Sequence, residues 1–190
     1  MLESRPSPRQ VPLAALGAIA DAWDIDPEEV TSYIDLETGE VVPVFDDARR
    51  DLEAVYELLP DNFNDGTLED QRSALANAIE NANHLSSEPV QIEEAFVVER
   101  GLGTTFLELP RWTTSDGHEQ MEAFVNSLPA GRLRNRLDDA IRGRGAFRRF
   151  KDELRREPDV REQWFAFQRD DLVYQARRWL HIEGIDLANA

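Results

Sequence analysis

Apolar side chains recur every three or four residues along much of the chain, which is the spacing of one face of a helix. In the N-terminal part, this pattern predicts helices at about 12–24, at 46–59 and from 67 onward. From Asp116 the same spacing continues to the C-terminus, with interruptions at Gly143 and near Pro158. The C-terminal half is therefore predicted to be helical.

Residues 32–44 instead have the pattern of a β-hairpin, with apolar residues on both sides of a polar turn at 37–40. Gly39 stands where such a turn needs a positive φ angle, which glycine adopts without strain. Pro43 has no N–H group for a β-ladder, so its strand is expected at the edge of a sheet.

Two segments after the predicted third helix complete the expected fold. Residues 95–98 and 104–109 are predicted strands, although a helix through 92–98 is an alternative for the first. The fold class is therefore α+β: a β-hairpin, extended to a small antiparallel sheet if these strands join it, packed with about six helices. Residues 1–10 predict a disordered tail, and residues 11–190 a single domain.

Charge divides this domain into an acidic part, 11–110, and a helical, arginine-rich part, 111–190. Residues 1–110 carry 6 basic and 24 acidic side chains, whereas residues 111–190 carry 15 and 14. The overall net charge of −17 excludes a wholly basic nucleic-acid binder. An acid excess also suits a protein that works in concentrated salt, where charge repulsion is screened.

The sequence contains no recognisable catalytic or metal-binding motif. The chain has no cysteine, which excludes disulfides, zinc–thiolate sites and cysteine nucleophiles, and it has three scattered histidines. Ser115, Asp116 and His118 are residue types of a catalytic triad, but they are too close in sequence to point at one another. No metal and no cofactor is predicted, and the sequence does not favour an enzyme.

The location is predicted to be cytoplasmic. No stretch approaches the ~18 apolar residues that a membrane-spanning helix needs. Residues 11–20 imitate a weak secretory signal, but the helical pattern continues past Ala20 to Trp23, beyond the position where a signal would be cut.

Two stretches, at 33–42 and at 143–152 with a continuation at 163–167, follow the pattern of a known family. Residues 106–110 and 121–124 fit the same pattern. Over about two thirds of its length the chain resembles the bacterial uncharacterised protein family zero-one-five-eight. This resemblance implies a hairpin followed by a helical C-terminal part, and it brings no activity, substrate, cofactor or catalytic residue.

Residues 132–156 hold 10 basic and 4 acidic side chains, and their two predicted helices would form a helix-turn-helix-like hairpin. Binding of a partner or of phosphate is assigned to residues on this hairpin and the next helix: Arg142, Arg144, Arg148, Arg149, Lys151, Arg155 and Phe165. Structural roles are assigned to turn glycines and to apolar residues at helical spacing: Gly39, Gly143, Gly145, Phe147, Phe150, Trp164 and Phe167.

The same arginines have a competing interpretation, because they can pair within the chain. Arg134 lies four residues before Asp138, and Arg148 lies four before Asp152, which is the spacing of helical ion pairs. Pairing with these acids and with the acid-rich first half is favoured over phosphate binding.

The leading functional hypothesis is a non-enzymatic cytoplasmic protein of unknown role. It would bind a macromolecular partner, either another protein or a second copy of itself, through residues 142–169. A nucleic-acid-associated factor using residues 132–156 is the alternative, and a hydrolase with unidentified carboxylates is a weaker one. No membrane partner is expected.

Overall fold

The structure, a computed structural model, describes residues 9–25 and 29–188, and its contacts divide the chain into two compact units. Unit 1 comprises Met1–Pro110 and Gly184–Ala190, and unit 2 comprises Arg111–Glu183. The boundary after Pro110 is also the position at which the charge changes. The single domain expected over residues 11–190 remains a prediction, since two compact units can belong to one domain.

Unit 1 combines helices with two small sheets, which confirms the α+β class. Its elements are β1 (Arg9–Val11), α1 (Ala15–Ile25), β2 (Val30–Asp35), β3 (Val41–Phe45), α2 (Asp46–Tyr56), a 3-10 helix (Phe63–Asp65), α3 (Leu68–Asn81), α4 (Pro89–Gly101), β4 (Phe106–Glu108) and β5 (Ile185–Leu187). The antiparallel sheet has the order β3-β2-β4, and β1 pairs with β5 in parallel. Of the predicted tail, residues 1–8 lie outside the described residues, whereas Arg9 and Gln10 belong to β1.

The β2–β3 hairpin forms as the sequence predicts. Gly39 has a φ of +76°, and its N–H donates to the Asp35 carbonyl at 2.8 Å. The Asp35 carboxylate accepts hydrogen bonds from the N–H groups of Glu37 and Thr38 at 2.7 and 3.2 Å. Pro43 lies on β3, an outer strand of the sheet, as its missing N–H group requires.

The strand predicted at 95–98 is wrong, because this segment lies inside helix α4, whereas the strand predicted at 104–109 is confirmed by β4. Pro89 occupies the first turn of α4, and the Gln91 side chain accepts the N–H of Glu88 at 3.1 Å. Phe96 and Ile92 are fully buried in the core of unit 1. The β-branched and aromatic residues of this segment form the buried face of a helix, because core packing outweighs their strand propensity.

The buried carboxylate of Asp51 on α2 fixes the loop that leads into α4. It accepts hydrogen bonds from the backbone N–H groups of Ser86 and Ser87 at 2.8 and 2.7 Å. Burial by itself raises the pKa of Asp51, but the hydrogen bonds from Ser87 and Ser86 outweigh it and hold the pKa below its ordinary 3.8.

Replacing Asp51 with alanine should lower the free energy of unfolding by about 1–3 kcal/mol, because two part-buried N–H groups lose a charged acceptor. In the folded state the pKa is lowered, so the carboxylate stabilises the protein above its ordinary pKa, and this stabilisation is lost as the pH falls through the lowered value. Chemical unfolding of wild type and Asp51→Ala between neutral and acidic pH checks both expectations. A difference that stays unchanged in strong acid would contradict the second.

Unit 2 is a group of four helices: α5 (Thr114–Ser127), α6 (Arg132–Ala140), α7 (Ala146–Leu154) and α8 (Pro158–Ile182). Its core is centred on three aromatic rings. The Trp164 ring lies 5.2 Å from that of Phe124 and 4.9 Å from that of Phe150, both edge to face. The helical C-terminal half predicted from the sequence is confirmed, and β5 is the one strand in it among the described residues.

Candidate functional site

The turn between α6 and α7 carries the arginine-dense sequence, and its backbone is organised by Arg149. Gly143 and Gly145 have φ angles of +73° and +76°, so they reverse the chain at positions that favour glycine. The Arg149 Nε donates to the Ala140 carbonyl at 3.1 Å, and its terminal nitrogens donate to the carbonyls of Arg142 and Arg144. Arg149 was expected on the binding surface, but its guanidinium instead satisfies carbonyl groups at the end of α6.

Replacing Arg149 with alanine should lower the free energy of unfolding by about 0.5–1.5 kcal/mol, because hydrogen bonds to several carbonyl groups of the turn are lost. Its neighbour Arg148 is the matched control: its side chain is 91% exposed, so Arg148→Ala should change stability by less than about 0.5 kcal/mol. Chemical unfolding in dilute and in molar salt measures both. If the difference in stability between Arg149→Ala and wild type disappeared in molar salt, the substitution would have removed charge interactions, which salt screens, rather than hydrogen bonds.

Most of the other arginines here pair with nearby acids. The closest pairs are Arg142 with Asp138, Arg155 with Asp152, Arg156 with Glu153, and Arg136 with Glu153 and Glu157. The expected pair of Arg148 and Asp152 is present at 4.0 Å. The expected pair of Arg134 and Asp138 is wrong, because Arg134 donates to the Asn126 side chain at 3.0 Å.

Arg136 has a structural role that the sequence did not predict. Its Nε lies 3.2 Å from a Glu153 carboxylate oxygen, and a terminal nitrogen lies 2.5 Å from Glu157. The hydrogen bond to Glu157, with the charges of both acids, outweighs desolvation and raises the pKa of Arg136. These acids lie 17 and 21 residues further along the chain, beyond the i to i+4 spacing that sequence reasoning can use.

Three basic side chains lie on one face of α7 and of the residue that follows it. Arg148, Lys151 and Arg155 are spaced i, i+3 and i+7, and all three are exposed. Within the described part of the chain, neither Lys151 nor Arg144 has an ionic partner. The α7 face therefore retains positive charge after the local pairs have formed.

The two phenylalanines of α7 have different environments. Phe150 is 1% exposed and belongs to the core, as the helical spacing predicts. Phe147 was also expected to point inward, but it is 37% exposed. Its ring lies over Gly117 of α5, where an added Cβ would come within 3.1 Å of two ring atoms. Phe147 therefore covers the start of α5 and does not join the aromatic centre.

On α8, Trp164 is buried, Phe167 is partly buried and Phe165 is 53% exposed, which matches the helical spacing. The guanidinium carbon of Arg161, one helical turn before Phe165, lies 5.6 Å from the centre of the Phe165 ring. This is a cation–π contact. Arg161 was not among the expected residues, although its i, i+4 relation to Phe165 is visible in the sequence.

The candidate catalytic residues of α5 have structural roles. The Asp116 carboxylate accepts the N–H of Thr113 at 2.7 Å in a capping box that begins the helix. A ring nitrogen of His118 lies 2.8 Å from the Ile141 carbonyl.

Across residues 9–25 and 29–188, no group of three or more His, Cys, Asp or Glu is placed to hold a metal ion. Among the same residues, no helix is both long and apolar enough to cross a membrane.

Comparison with known proteins agrees with the resemblance read from the sequence. No curated protein and no solved structure matches the chain. The model of the uncharacterised protein family UPF0158 matches residues 92–189, which include most of α4, β4, all of unit 2 and β5. The hairpin at 33–42, which was counted in the resemblance, lies outside the matched region. Because the match covers more than half of the sequence, the chain belongs to the uncharacterised protein family UPF0158.

Proposed function

We propose that this protein is a non-enzymatic binding protein that docks an acidic protein partner on its α7–α8 surface, defined as Arg148, Lys151, Arg161 and Phe165. The observation that carries the proposal is the exposed Phe165 ring with the Arg161 guanidinium above it. Aromatic and arginine side chains are the residues that most often dominate the energetics of protein interfaces.

The helices that carry this surface pack directly on each other. Phe150 of α7 and Trp164 of α8 are in ring contact at 4.9 Å, and Lys151 and Phe165 are the residues that follow them. Lys151 and Phe165 are therefore each adjacent in sequence to a ring of this buried pair, which holds the two helices together. A rigid support favours binding because less conformational entropy is lost on association.

The charge of the surface favours an acidic partner. Neither Lys151 nor Arg161 pairs with a carboxylate in the part of the chain that the structure describes. Arg148 is 91% exposed and its contact with Asp152 is long, at 4.0 Å. An exposed aromatic ring that holds Arg161, with Arg148 and Lys151 exposed on the adjoining helix, complements an acidic protein surface.

Protein is favoured over nucleic acid because much of the arginine patch is already engaged. Arg142 and Arg155 hold carboxylates, and Arg149 holds backbone carbonyls. A phosphate backbone would have to displace these contacts. It would also meet the long-range repulsion of a chain with a net charge of −17.

A cytoplasmic location and adaptation to concentrated salt are part of the same proposal. Helix α1 runs through Ala20, the position where a secretory signal would be cut, and Ile19 and Trp23 on either side are buried. This arrangement supports α1 as part of the folded protein. The excess of acidic residues supports salt adaptation, which stability measured from dilute to molar salt can test.

A photoreactive phenylalanine at position 165, introduced in the cells that make the protein, should cross-link the partner. The matched control is position 174, because Tyr174 is 61% exposed on the same helix and points away from Phe165. With the purified partner, Phe165→Ala and Arg161→Ala should each weaken binding by roughly tenfold or more. Tyr174→Ala should leave the affinity unchanged.

Two results would contradict the proposal. One is a partner whose affinity is the same for wild type, Phe165→Ala and Arg161→Ala. The other is binding of RNA or DNA at low salt that is lost when Arg148 and Lys151 are reversed in charge, which would assign the surface to phosphate recognition. Sedimentation of the purified chain distinguishes a separate partner from a second copy.

A further inference from the structure

A cleft of about 410 Å³ lies in unit 1, remote in sequence from the α7–α8 surface. It is formed by the end of α2, the loop that follows and the end of α4. Its volume is within the range of small-molecule sites. The side chains that give it chemical character are Tyr56, Asp61, Phe63, Asn64, Glu99 and Arg100.

Two aromatic rings form adjoining walls of this cleft. The centres of the Tyr56 and Phe63 rings are 6.3 Å apart, and their planes meet at 58°. Phe63 is supported from behind by Phe96, which is fully buried, at a ring distance of 5.9 Å. Aromatic rings that line a cleft at an angle to each other can hold a cation against their electron-rich faces.

The loop that carries Phe63 is held in place by a buried amide. Gln71 of α3 is 4% exposed, and its Nε2 donates to the carbonyls of Gly66 and Asn64 at 3.1 and 3.4 Å. From the other side, Arg100 donates to the Asn64 side-chain oxygen at 3.3 Å. The cleft is therefore preformed.

The polar lining of the cleft is negative. The Tyr56 hydroxyl donates to a Glu99 carboxylate oxygen at 3.0 Å. Burial and the nearby Glu99 charge raise the pKa of Tyr56, so the hydroxyl stays neutral and remains a donor. The lining contains two carboxylates, Asp61 and Glu99, and one cation, Arg100, in a part of the chain with a large acid excess. This field attracts a cation.

We infer that the cleft binds the alkylammonium group of a small organic cation between the Tyr56 and Phe63 rings, with Glu99 as the counter-charge. A quaternary ammonium has no N–H groups and recognises aromatic faces and a nearby negative charge. A metal ion needs several converging oxygen ligands instead. Among the described residues, no three or more His, Cys, Asp or Glu side chains are placed together to hold a metal ion.

The binding test uses the full-length protein and choline as the probe, followed by NMR at constant ionic strength. Choline should give saturable shifts of the amide signals of residues 63–66 and 99–100. The neutral carbon isostere of choline, in which carbon replaces the ammonium nitrogen, should bind more weakly by roughly 2- to 30-fold, the range of a cation–π contribution. Sodium chloride at the same concentration should give no saturable shift at these residues.

Variants locate the site. Glu99→Gln keeps an acceptor for the Tyr56 hydroxyl but removes the charge, and it should weaken choline binding by roughly fivefold, the effect of one unit charge about 4 Å away in water. Glu80→Gln on the exposed face of α3 removes the same charge outside the cleft and should have no effect. Phe63→Leu should also weaken binding, with the dispersion of the NMR spectrum as the check on folding.

Equal binding of choline and its neutral isostere would overturn the inference, as would equal affinities of wild type and Glu99→Gln. Absence of saturable binding in the wild type would overturn it without recourse to any variant. A peptide with trimethylated lysine distinguishes the source of the group: tighter binding than choline assigns the cleft to a modified protein, and weaker binding to a small solute. Both of these results support an alkylammonium site.

Discussion

Replacing Phe150 with alanine should lower the free energy of unfolding of unit 2 by about 3–5 kcal/mol. The ring is 1% exposed and contacts Trp164 and Phe124 edge to face at 4.9 and 6.3 Å. Its removal would leave a cavity at the centre of the aromatic core, and the other two rings would lose their contacts with it. Such a loss is a large share of the stability of an ordinary domain.

Chemical unfolding followed by near-ultraviolet circular dichroism, which senses the packing of aromatic rings, measures this effect. Phe165→Ala is the matched control: the same substitution on the adjoining helix, at a ring that is 53% exposed, should change stability by less than about 0.5 kcal/mol. The loss of stability in Phe147→Ala should fall between these two values, because the side chain is 37% exposed and its ring packs on Gly117. Equal losses for Phe150→Ala and Phe165→Ala would contradict the described core.

The different environments of Phe147 and Phe150 show what can and cannot be predicted from the sequence. Their spacing of three residues correctly places both on one side of α7, because helical geometry is a local property. What lies opposite each ring is set by another helix. Gly117, 30 residues earlier, leaves room for Phe147 at the surface of α5, and no local pattern reports this contact.

The same distinction applies to charge. The pair of Arg148 and Asp152 was predictable because both residues lie on one helix. The role of Arg149 was not, since its partners are carbonyl oxygens that become available only when α6 ends and the chain turns back. A count of arginines therefore overestimates the charge that this segment can offer to a ligand.

The unit 1 cleft is the feature that the sequence predicted least. Tyr56 and Glu99 are 43 residues apart, and Phe63 lies in a polar loop without periodicity. The sequence left two alternatives for the segment before Glu99, a strand at 95–98 or a helix through 92–98. Only as the end of a helix does it place Glu99 and Arg100 beside the end of α2. Prediction of the cleft therefore required the tertiary arrangement of α2 and α4.

Replacing Gly39 with valine should lower the free energy of unfolding of unit 1 by about 2–4 kcal/mol. Two effects combine at this position. Its φ of +76° is unfavourable for any β-branched residue. An added Cβ would also lie 2.8 Å from Pro12 Cδ and 3.1 Å from Ala15 Cβ, so the start of α1 would have to move away from the hairpin.

Gly103→Val separates these two effects. Gly103 has nearly the same φ, +77°, but an added Cβ would meet nothing within 4 Å. This variant should therefore carry the backbone strain alone, about 1–2 kcal/mol. The difference between the two variants in chemical unfolding measures how tightly the hairpin turn packs against Pro12 and Ala15. Equal losses would mean that the start of α1 yields without penalty, and then the hairpin would not help to position that helix.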